Sequence, residues 1–470
     1  MENASNRLLI AYYGDDFTGS TDALEFLSHA GIKTMLFIEC PTPQQLASYP
    51  DLQAIGVAGM SRTMSPEEMD AHLLPAFKDL ARLQPRHVHY KVCSTFDSSP
   101  GIGSIGKAID LGSAMFKSKF VPLLVAAPAL GRYMLFGNLF ARMGIGSAGD
   151  IYRLDRHPSM CKHPVTPADE SDIRLHLARQ TTKSIGLFNI LSLHQYQDCP
   201  TDLAFEEDIV LFDALKSIDL NAIGQIIDNQ ASDDRILFSA GSSGIEMALG
   251  AHWKESGGLN SSQQWKSVKV EQPILVISGS CSAVTAKQIQ FAQKNNFISI
   301  AIDTFKLAML IESPDLAENI GLLKNVAIDY ASQVIKGIQA GQSVIVHTSL
   351  GNDDERVIET DKLFREKSLP KSATAKFYGT LLGEITRLVA ADTTLKRIVV
   401  AGGDTSSYAA RAMGIEAVEM IAPLSPGSPL CKAYAPKSAV DQLQITFKGG
   451  QVGKDDFFVM AAHDIETKLT

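Results

Sequence analysis

Short apolar runs separated by longer stretches of helical period constrain this chain more than any other feature. The runs Leu8–Tyr13, Lys33–Ile38, Val121–Ala126, Ile274–Ser278, Ser343–His347 and Arg397–Ala401 are each of strand length, and the segments between them carry apolar residues at helical spacing. Strands joined by crossover helices form parallel sheets, so the pattern predicts an α/β fold with largely parallel sheets. With 470 residues, 45% of them apolar, the chain can build two domains, each with its own core. From Ala251 to Gln272 the periodicity gives way to Ser, Gly, Gln and Lys, the composition of an exposed connection. One domain is therefore expected over residues 1–250, a linker over 251–272 and a second domain over 273–470, with a ligand cleft between the domains.

Charge and cysteine usage narrow the partners. Lys and Arg number 43 against 52 Asp and Glu, a net charge of −9, and no basic run marks a nucleic-acid footprint. The six cysteines, Cys40, Cys93, Cys161, Cys199, Cys281 and Cys431, form no CxxC pair and have no histidine at metal-ligand spacing. The opening "MENASNR" lacks the layout of a signal peptide, and no apolar run approaches the roughly 20 residues that span a bilayer. A reduced, cytoplasmic enzyme acting on small molecules is expected, without nucleic-acid or membrane partners and with room for a homodimer.

The first strand runs into "YYGDDFTGSTDALEFLSHAG". From Ala23 the apolar residues fall at helical spacing as far as Ala30, and Gly31 supplies the stop. Capping such a helix takes one or two side chains, for which Thr18 or Ser20 serves, with Asp22 in the first turn. Asp15 and Asp16 are then surplus to capping. Paired carboxylates at the C-terminal edge of a strand suit a polyhydroxylated ligand, because they accept bonds from hydroxyls and can take a proton from one.

Further polar groups fall on later loops. Ser61 and Arg62 in "VAGMSRTM", and Lys91, Ser94, Thr95, Asp97 and Ser98 after the strand Arg86–Val92, offer cations for a carboxylate and hydroxyls for a polyol. Arg156, His157, His163 and Thr166 form a second group. The segment "GIGSIGKA" satisfies G-x-G-x-x-G through Gly101, Gly103 and Gly106, but Pro100 precedes it where a strand should, and Ala108 stands where a phosphate loop needs a hydroxyl. A dinucleotide-dependent oxidoreductase built on that segment is the alternative reading, and a metabolite sensor without catalysis is another.

The second half twice repeats strand, small-residue turn and helix. Gly279, Ser280, Cys281 and Ser282 form one such turn, and Gly402, Gly403, Asp404, Thr405 and Ser406 the other. Exposed amides at helix N-termini, flanked by glycines and hydroxyls, bind anions, and two such turns in one domain suit a polyphosphate. "FKGGQVGKDDFF" adds a third turn with Lys448, Gly449, Gly450 and Gly453. Carboxylates and cations in one half and anion cradles in the other point to phosphoryl transfer from a nucleotide to an acidic polyol.

In these motifs the chain resembles the four-carbon acid sugar kinases. "GDDFTGSTD" is similar to that family's D-D-x-T-G-[AS]-x-D signature, and Ser61–Arg62 matches its Ser-Arg pair. "GSCSAVTAKQI", "AGGDTS", "SPGSP" and "KGGQVGKDDFF" resemble its nucleotide-binding part. Where typical members read K-x-D-S-T-L-R-G, this chain has "KVCSTFDSS", so Cys93 replaces an Asp and Phe96–Asp97 the Leu-Arg pair. The resemblance implies an ATP- and Mg2+-dependent kinase acting on a tetronate, an oxo-tetronate or a branched oxo acid sugar such as oxo-isoapionate. Asp15 and Asp16 would be its catalytic residues. Together with Ser61, Arg62, Lys91, Ser94, Thr95 and Asp97 they would bind the sugar, and Ser280, Ser282, Gly402, Gly403, Asp404, Thr405 and Gly450 would bind ATP.

Overall fold

The computed structural model describes residues 7–143, 149–163, 165–232, 234–259, 265–269, 273–311, 313–351, 353–369 and 372–465. The chain divides into two units, Met1–Gln263 and Gln264–Thr470. Each is an α/β unit in its own right.

The first unit contains strands β1 (Ile10–Gly14), β2 (Thr34–Phe37), β3 (Ala54–Ala58), β4 (His87–Lys91), β5 (Val121–Leu124), β6 (Arg132–Leu135), β7 (Asn138–Arg142), β8 (Ile151–Arg153), β9 (Ile185–Phe188), β10 (Ile209–Phe212) and β11 (Leu237–Gly241). Its main sheet runs β2-β3-β1-β4-β11-β5-β10-β9, and every pairing within it is parallel. Helices cover both faces, which is why β1, β3 and β5 read as unbroken apolar or small-residue runs. Strand β4, His-Val-His-Tyr-Lys, is the exception, being buried along its whole length although polar at three positions. Rings of Phe77, Tyr90, Phe116 and Phe238 pack on one face with centroids 5.5 to 6.2 Å apart. Strands β6, β7 and β8 form a separate antiparallel sheet, an excursion the helical and strand periods do not announce.

The second unit contains β12 (Leu275–Ser278), β13 (Ile298–Ala301), β14 (Val344–His347), β15 (Arg397–Ala401), β16 (Ala417–Ser425), β17 (Ser428–Tyr434) and β18 (Gln444–Lys448). The order is β13-β14-β12-β15-β18-β17-β16, parallel except that β17 runs against both of its neighbours. Ile274, Val276, Ile289, Val399, Phe457 and Phe458 belong to one fully buried cluster on the sheet.

The expected linker over 251–272 begins within a helix. A helix spans Gly244–Glu255, and its Trp253 is 5% exposed with its ring 5.8 Å from that of His87. The apolar spacing of Ala248, Leu249 and Trp253 holds this segment on the first unit.

The two sheets share one topological device. In the first, the chain leaves β1 for β2 and β3 on one side and then crosses to β4 on the other. In the second, it leaves β12 for β13 and β14 and then crosses to β15. Loops diverge at such switch points and leave a crevice at the C-terminal ends of the strands, where open α/β sheets bind their ligands. Asp15–Asp16 follows β1, Ser61–Arg62 follows β3, and Lys91 ends β4; Gly279–Ser282 follows β12, and Gly402–Thr405 follows β15.

Candidate active site

Strand β1 ends at Gly14 and the first helix begins at Phe17, so Asp15 and Asp16 make up the whole turn. Asp16 is the helix N-cap. Its backbone is extended, its Oδ1 accepts from the Gly19 amide at 2.8 Å, and Thr18 Oγ1 donates to its Oδ2 at 2.8 Å. This corrects the expectation that Thr18 or Ser20 caps the helix. Burial of Phe17 draws that residue into the first turn and moves the helix start upstream, and both hydroxyls instead serve Asp16, Ser20 Oγ donating to its carbonyl at 2.6 Å. Asp22 is likewise not in the first turn but further into the helix, buried, with the Ser243 hydroxyl donating to its Oδ2.

The turn after β3 is joined to this one. The Arg62 amide donates to the Asp15 carbonyl at 3.1 Å. The Arg62 guanidinium bridges both carboxylates: Nη2 lies 2.9 Å from Asp15 Oδ1 and 2.8 Å from Asp16 Oδ1, and Nε donates to Asp15 Oδ2 at 3.3 Å. On the other side of β1, the Asp15 amide donates to the Lys91 carbonyl at 2.8 Å. The Lys91 side chain is 1% exposed; its Nζ donates to Val92 O at 3.0 Å and lies 3.7 Å from Asp22 Oδ2. Lys91 is thus as buried as the two aspartates and sits beside Asp22.

Burial disfavours the ionised form of both aspartates, and the outcome differs with their partners. For Asp15 burial prevails and the charge of Asp16 adds to it, so its carboxyl is pushed up despite Arg62. For Asp16, Arg62, Lys91, the Thr18 hydroxyl and the Gly19 amide together outweigh burial and hold its carboxyl below the usual carboxylate range. Burial works against the Arg62 charge, but Asp15 and Asp16 hold its guanidinium well above its ordinary value. The result is one fixed anion beside one carboxyl with raised proton affinity.

The other first-half candidates take different places. Ser61 Oγ is 2.8 Å from the Tyr90 hydroxyl, and Thr95 Oγ1 is 3.0 Å from Cys93 Sγ. Ser94 Oγ accepts from Arg132 Nε at 3.2 Å, which brings to the site a cation that the sequence reading missed. Arg132 lies on β6, and nothing in the local pattern distinguishes it. Asp97 has a buried Oδ1 that finds no partner among the described residues. It borders a cavity of about 10 Å3 with Thr95, Thr166 and His176, room for about one water. His157 and His163 turn their Nδ1 atoms to nearby amides, at 3.3 Å for Ser159 and Met160 and 3.1 Å for Thr166, and so hold local turns. Arg156 is exposed.

The "GIGSIG" segment is a buttress. Gly103 has φ +59, its amide donates to Met64 O at 2.9 Å, and an added Cβ would lie 2.3 Å from Arg62 O. Close approach to the turn that carries Arg62 is what requires glycine there.

In the second unit, three turns meet at the adjacent C-terminal ends of β12, β15 and β18. Ser282 caps the helix Ala283–Lys294, accepting from the Thr285 amide at 3.1 Å, and its hydroxyl donates to the Gly450 carbonyl. Ser280 Oγ accepts from the Ser282 amide at 3.3 Å, and a Cβ on Gly450 would lie 3.0 Å from it. Gly402 has φ +130, and its amide donates to Lys448 O at 2.9 Å; a Cβ there would press on Gly279 C and Ser280 N at 3.3 Å. A Cβ on Gly279 would in turn lie 2.3 Å from Thr405 Oγ1. Ser280, Ser282, Gly402, Thr405 and Gly450 therefore line one cradle. Gly403 opens the helix Gly403–Ala412, whose first amides have no partners within the helix. The side chain of Asp404 lies outside the described residues.

Two family models match the chain, a sugar-binding N-terminal domain over residues 10–249 and a nucleotide-binding C-terminal domain over residues 275–458. The chain is 42% identical over 458 residues to the 3-oxo-isoapionate kinase of Paraburkholderia graminis, covering 96% of this chain and 94% of that protein. It belongs to the four-carbon acid sugar kinase family. A 3-oxo-tetronate kinase of Pseudomonas savastanoi pv. phaseolicola is a more distant member, 27% identical over 460 residues with 97% of each chain covered. The crystal structure of Haemophilus influenzae protein HI1011 shares the fold, with a TM-score of 0.65 at 22% identity over 96% of this chain and 98% of that one. The carboxylate turn lies in the sugar-binding domain and the glycine cradle in the nucleotide-binding domain, as the α/β reading and the family resemblance imply. Among the described residues no group of three or more His, Cys, Asp or Glu could hold a metal ion, and no helix is long and apolar enough to cross a membrane.

Proposed function

We propose that this protein transfers the γ-phosphoryl group of ATP to a hydroxyl of a small oxo acid sugar, and that a branched sugar of the oxo-isoapionate type is preferred over the linear tetronates. The observation that carries the reading is the Asp15–Arg62–Asp16 constellation at the switch point of a sugar-binding domain. The 42% identity to a 3-oxo-isoapionate kinase, against 27% to a 3-oxo-tetronate kinase, supports the choice of sugar.

In this mechanism Asp16, fixed and ionised, accepts hydroxyls of the sugar and sets its orientation. Asp15, whose proton affinity burial raises, takes the proton of the attacking hydroxyl as its oxygen bonds to the γ-phosphorus. The bond from that phosphorus to the bridging oxygen breaks, and ADP leaves with the electron pair. Ser280, Ser282, Thr405 and the Gly402–Gly403 and Gly450 backbone hold the phosphates, as the glycine cradle and its hydroxyls fit a polyphosphate. Mg2+ would come with the nucleotide, since among the described residues no group of three or more His, Cys, Asp or Glu could hold it, and would supply charge neutralisation.

The test is ADP release from purified protein, MgATP and a panel of 3-oxo-isoapionate, 3-oxo-tetronates and tetronates. Sugar-dependent ADP with the highest kcat/KM on the branched substrate is expected. Release no greater than in the absence of sugar, for every member of the panel, refutes the kinase reading.

A further inference from the structure

Lys448 ends β18 beneath the cradle, and none of the roles above uses its side chain. It is fully buried, and among the described residues its Nζ has one oxygen partner, Thr285 Oγ1 at 3.0 Å. An ammonium has three donors, so two are unspent. The Phe457 and Phe458 rings, each with its centroid 5.9 Å from Nζ, line the other side. No carboxylate among the described residues pairs with it. Such a site is a poor home for a permanent charge.

The connections of Lys448 all lead to the cradle. Its carbonyl accepts from the Gly402 amide at 2.9 Å, which ties it to the turn after β15. Thr285 Oγ1 donates to Gly450 O at 3.1 Å, and the Ser282 hydroxyl donates to the same carbonyl. Lys448 thus reaches all three phosphate-facing turns, by its backbone on one side and by a single relay through Thr285 on the other. An anion on those turns would supply the counter-charge that the buried ammonium lacks among the described residues.

We propose that Lys448 is a further nucleotide-binding residue, one that takes up a proton when the polyphosphate settles on the three turns and gives it back when the nucleotide leaves. The proposal rests on the assignment of the cradle to ATP. In the free protein, burial alone lowers the Lys448 ammonium to about 7, so much of it is neutral at pH 8. Thr285 faces it from the helix Ala283–Lys294, and Phe457 and Phe458 from the helix Phe457–Ala461, none of them charged. On the other neighbouring elements Arg397 of β15, Lys432 of β17 and Arg411 of the helix Gly403–Ala412 bond elsewhere, so among the described residues no charge holds the proton without a ligand. The negative phosphates favour the ammonium, and by linkage the protonated form binds the nucleotide more tightly.

Calorimetric titration with ATP at pH 8, in buffers of different ionisation enthalpy, counts the protons exchanged. Wild-type protein is expected to take up most of one proton per ATP more than Lys448→Met, in which the ligand's own titration is the same and cancels. The Lys448→Met affinity should be lower by about tenfold or more at pH 6.5 and by progressively less towards pH 9. ATP binding by both proteins with equal proton counts overturns the proposal and leaves the nucleotide reading intact. Failure of the wild-type protein to bind ATP overturns the nucleotide reading itself. Should Lys448→Met not fold, wild-type proton uptake is compared with the uptake calculated from the titration of free ATP, and no excess refutes the inference.

Discussion

Substitution of Gly19 by alanine separates the position of Asp16 from the stability of the helix it caps. Gly19 is the third residue of the helix Phe17–His29, where an alanine backbone is ordinary, and alanine is favoured over glycine in helices by about 1 kcal/mol. A Cβ there, however, would lie 2.4 Å from Asp16 Oδ1 and 3.1 Å from Lys91 Nζ. Normal contact is about 3.5 Å, so the carboxylate must retreat by about 1 Å. That breaks the bond from the Gly19 amide, a cap worth about 1 kcal/mol, and the stability change comes out close to zero. Activity does not balance in the same way. A misplacement of about 1 Å in a reacting constellation lowers kcat/KM by about a hundredfold, near 2.7 kcal/mol of transition-state stabilisation. ADP release and a thermal melt on the same preparation measure both quantities, with Gly101→Ala as control because a Cβ there meets nothing within 4 Å. An unchanged melting temperature with kcat/KM within twofold of wild type would refute the placement of Asp16 at the sugar.

Three other outcomes follow from the geometry. Asp16→Asn keeps an effective helix cap but loses the fixed charge, so turnover should fall by about a hundredfold or more while ATP affinity, read by titration, stays near wild type. Gly402→Ala forces a side chain to φ +130 against the backbone of Gly279 and Ser280, which should destabilise the protein by about 1–3 kcal/mol in denaturant unfolding and weaken ATP binding. Glu246 is fully buried, neither carboxyl oxygen accepts a hydrogen bond among the described residues, and burial pushes its carboxyl up to about 8. The folded protein therefore keeps this proton between pH 4.5 and 8 while the unfolded chain loses it, and stability falls as pH rises by about 1.4 kcal/mol per pH unit for this group. Glu246→Gln should remove that slope from the pH dependence of unfolding; an unchanged slope would show that Glu246 is ionised in the fold.

The sheets were legible because buried parallel strands are mostly apolar runs, β4 excepted, and Leu8–Tyr13, Val121–Ala126 and Arg397–Ala401 each mark one to within a few residues. The carboxylate turn was legible for a related reason: two adjacent aspartates have no use inside a strand. The choice of cap was not, since Asp16, Thr18 and Ser20 are all competent and only the burial of Phe17 decides between them. Arg132 and the buried pair of His89 and Glu246 stayed hidden, and Lys448 was visible only as part of a turn, because each gains its meaning from a partner far along the chain. Arg132 meets Ser94, Lys448 meets Thr285, and Glu246 Oε1 lies 3.7 Å from His89 Nε2. No window of neighbouring residues records such a pairing.

Strand β11 has a bearing on synthesis as well as on architecture. Residues 237–241 pair with β4 on one side and β5 on the other, although both of those strands leave the ribosome more than a hundred residues earlier. Until β11 arrives, a nascent chain holds two edges, on β4 and β5, whose backbone groups lack their β11 partners. Unpaired edges of this kind recruit other chains, so the vulnerable interval in the life of this protein is translational. A ribosome pausing just before codon 237 should raise the aggregated fraction, and a pause after the helix Gly244–Glu255 has emerged should not.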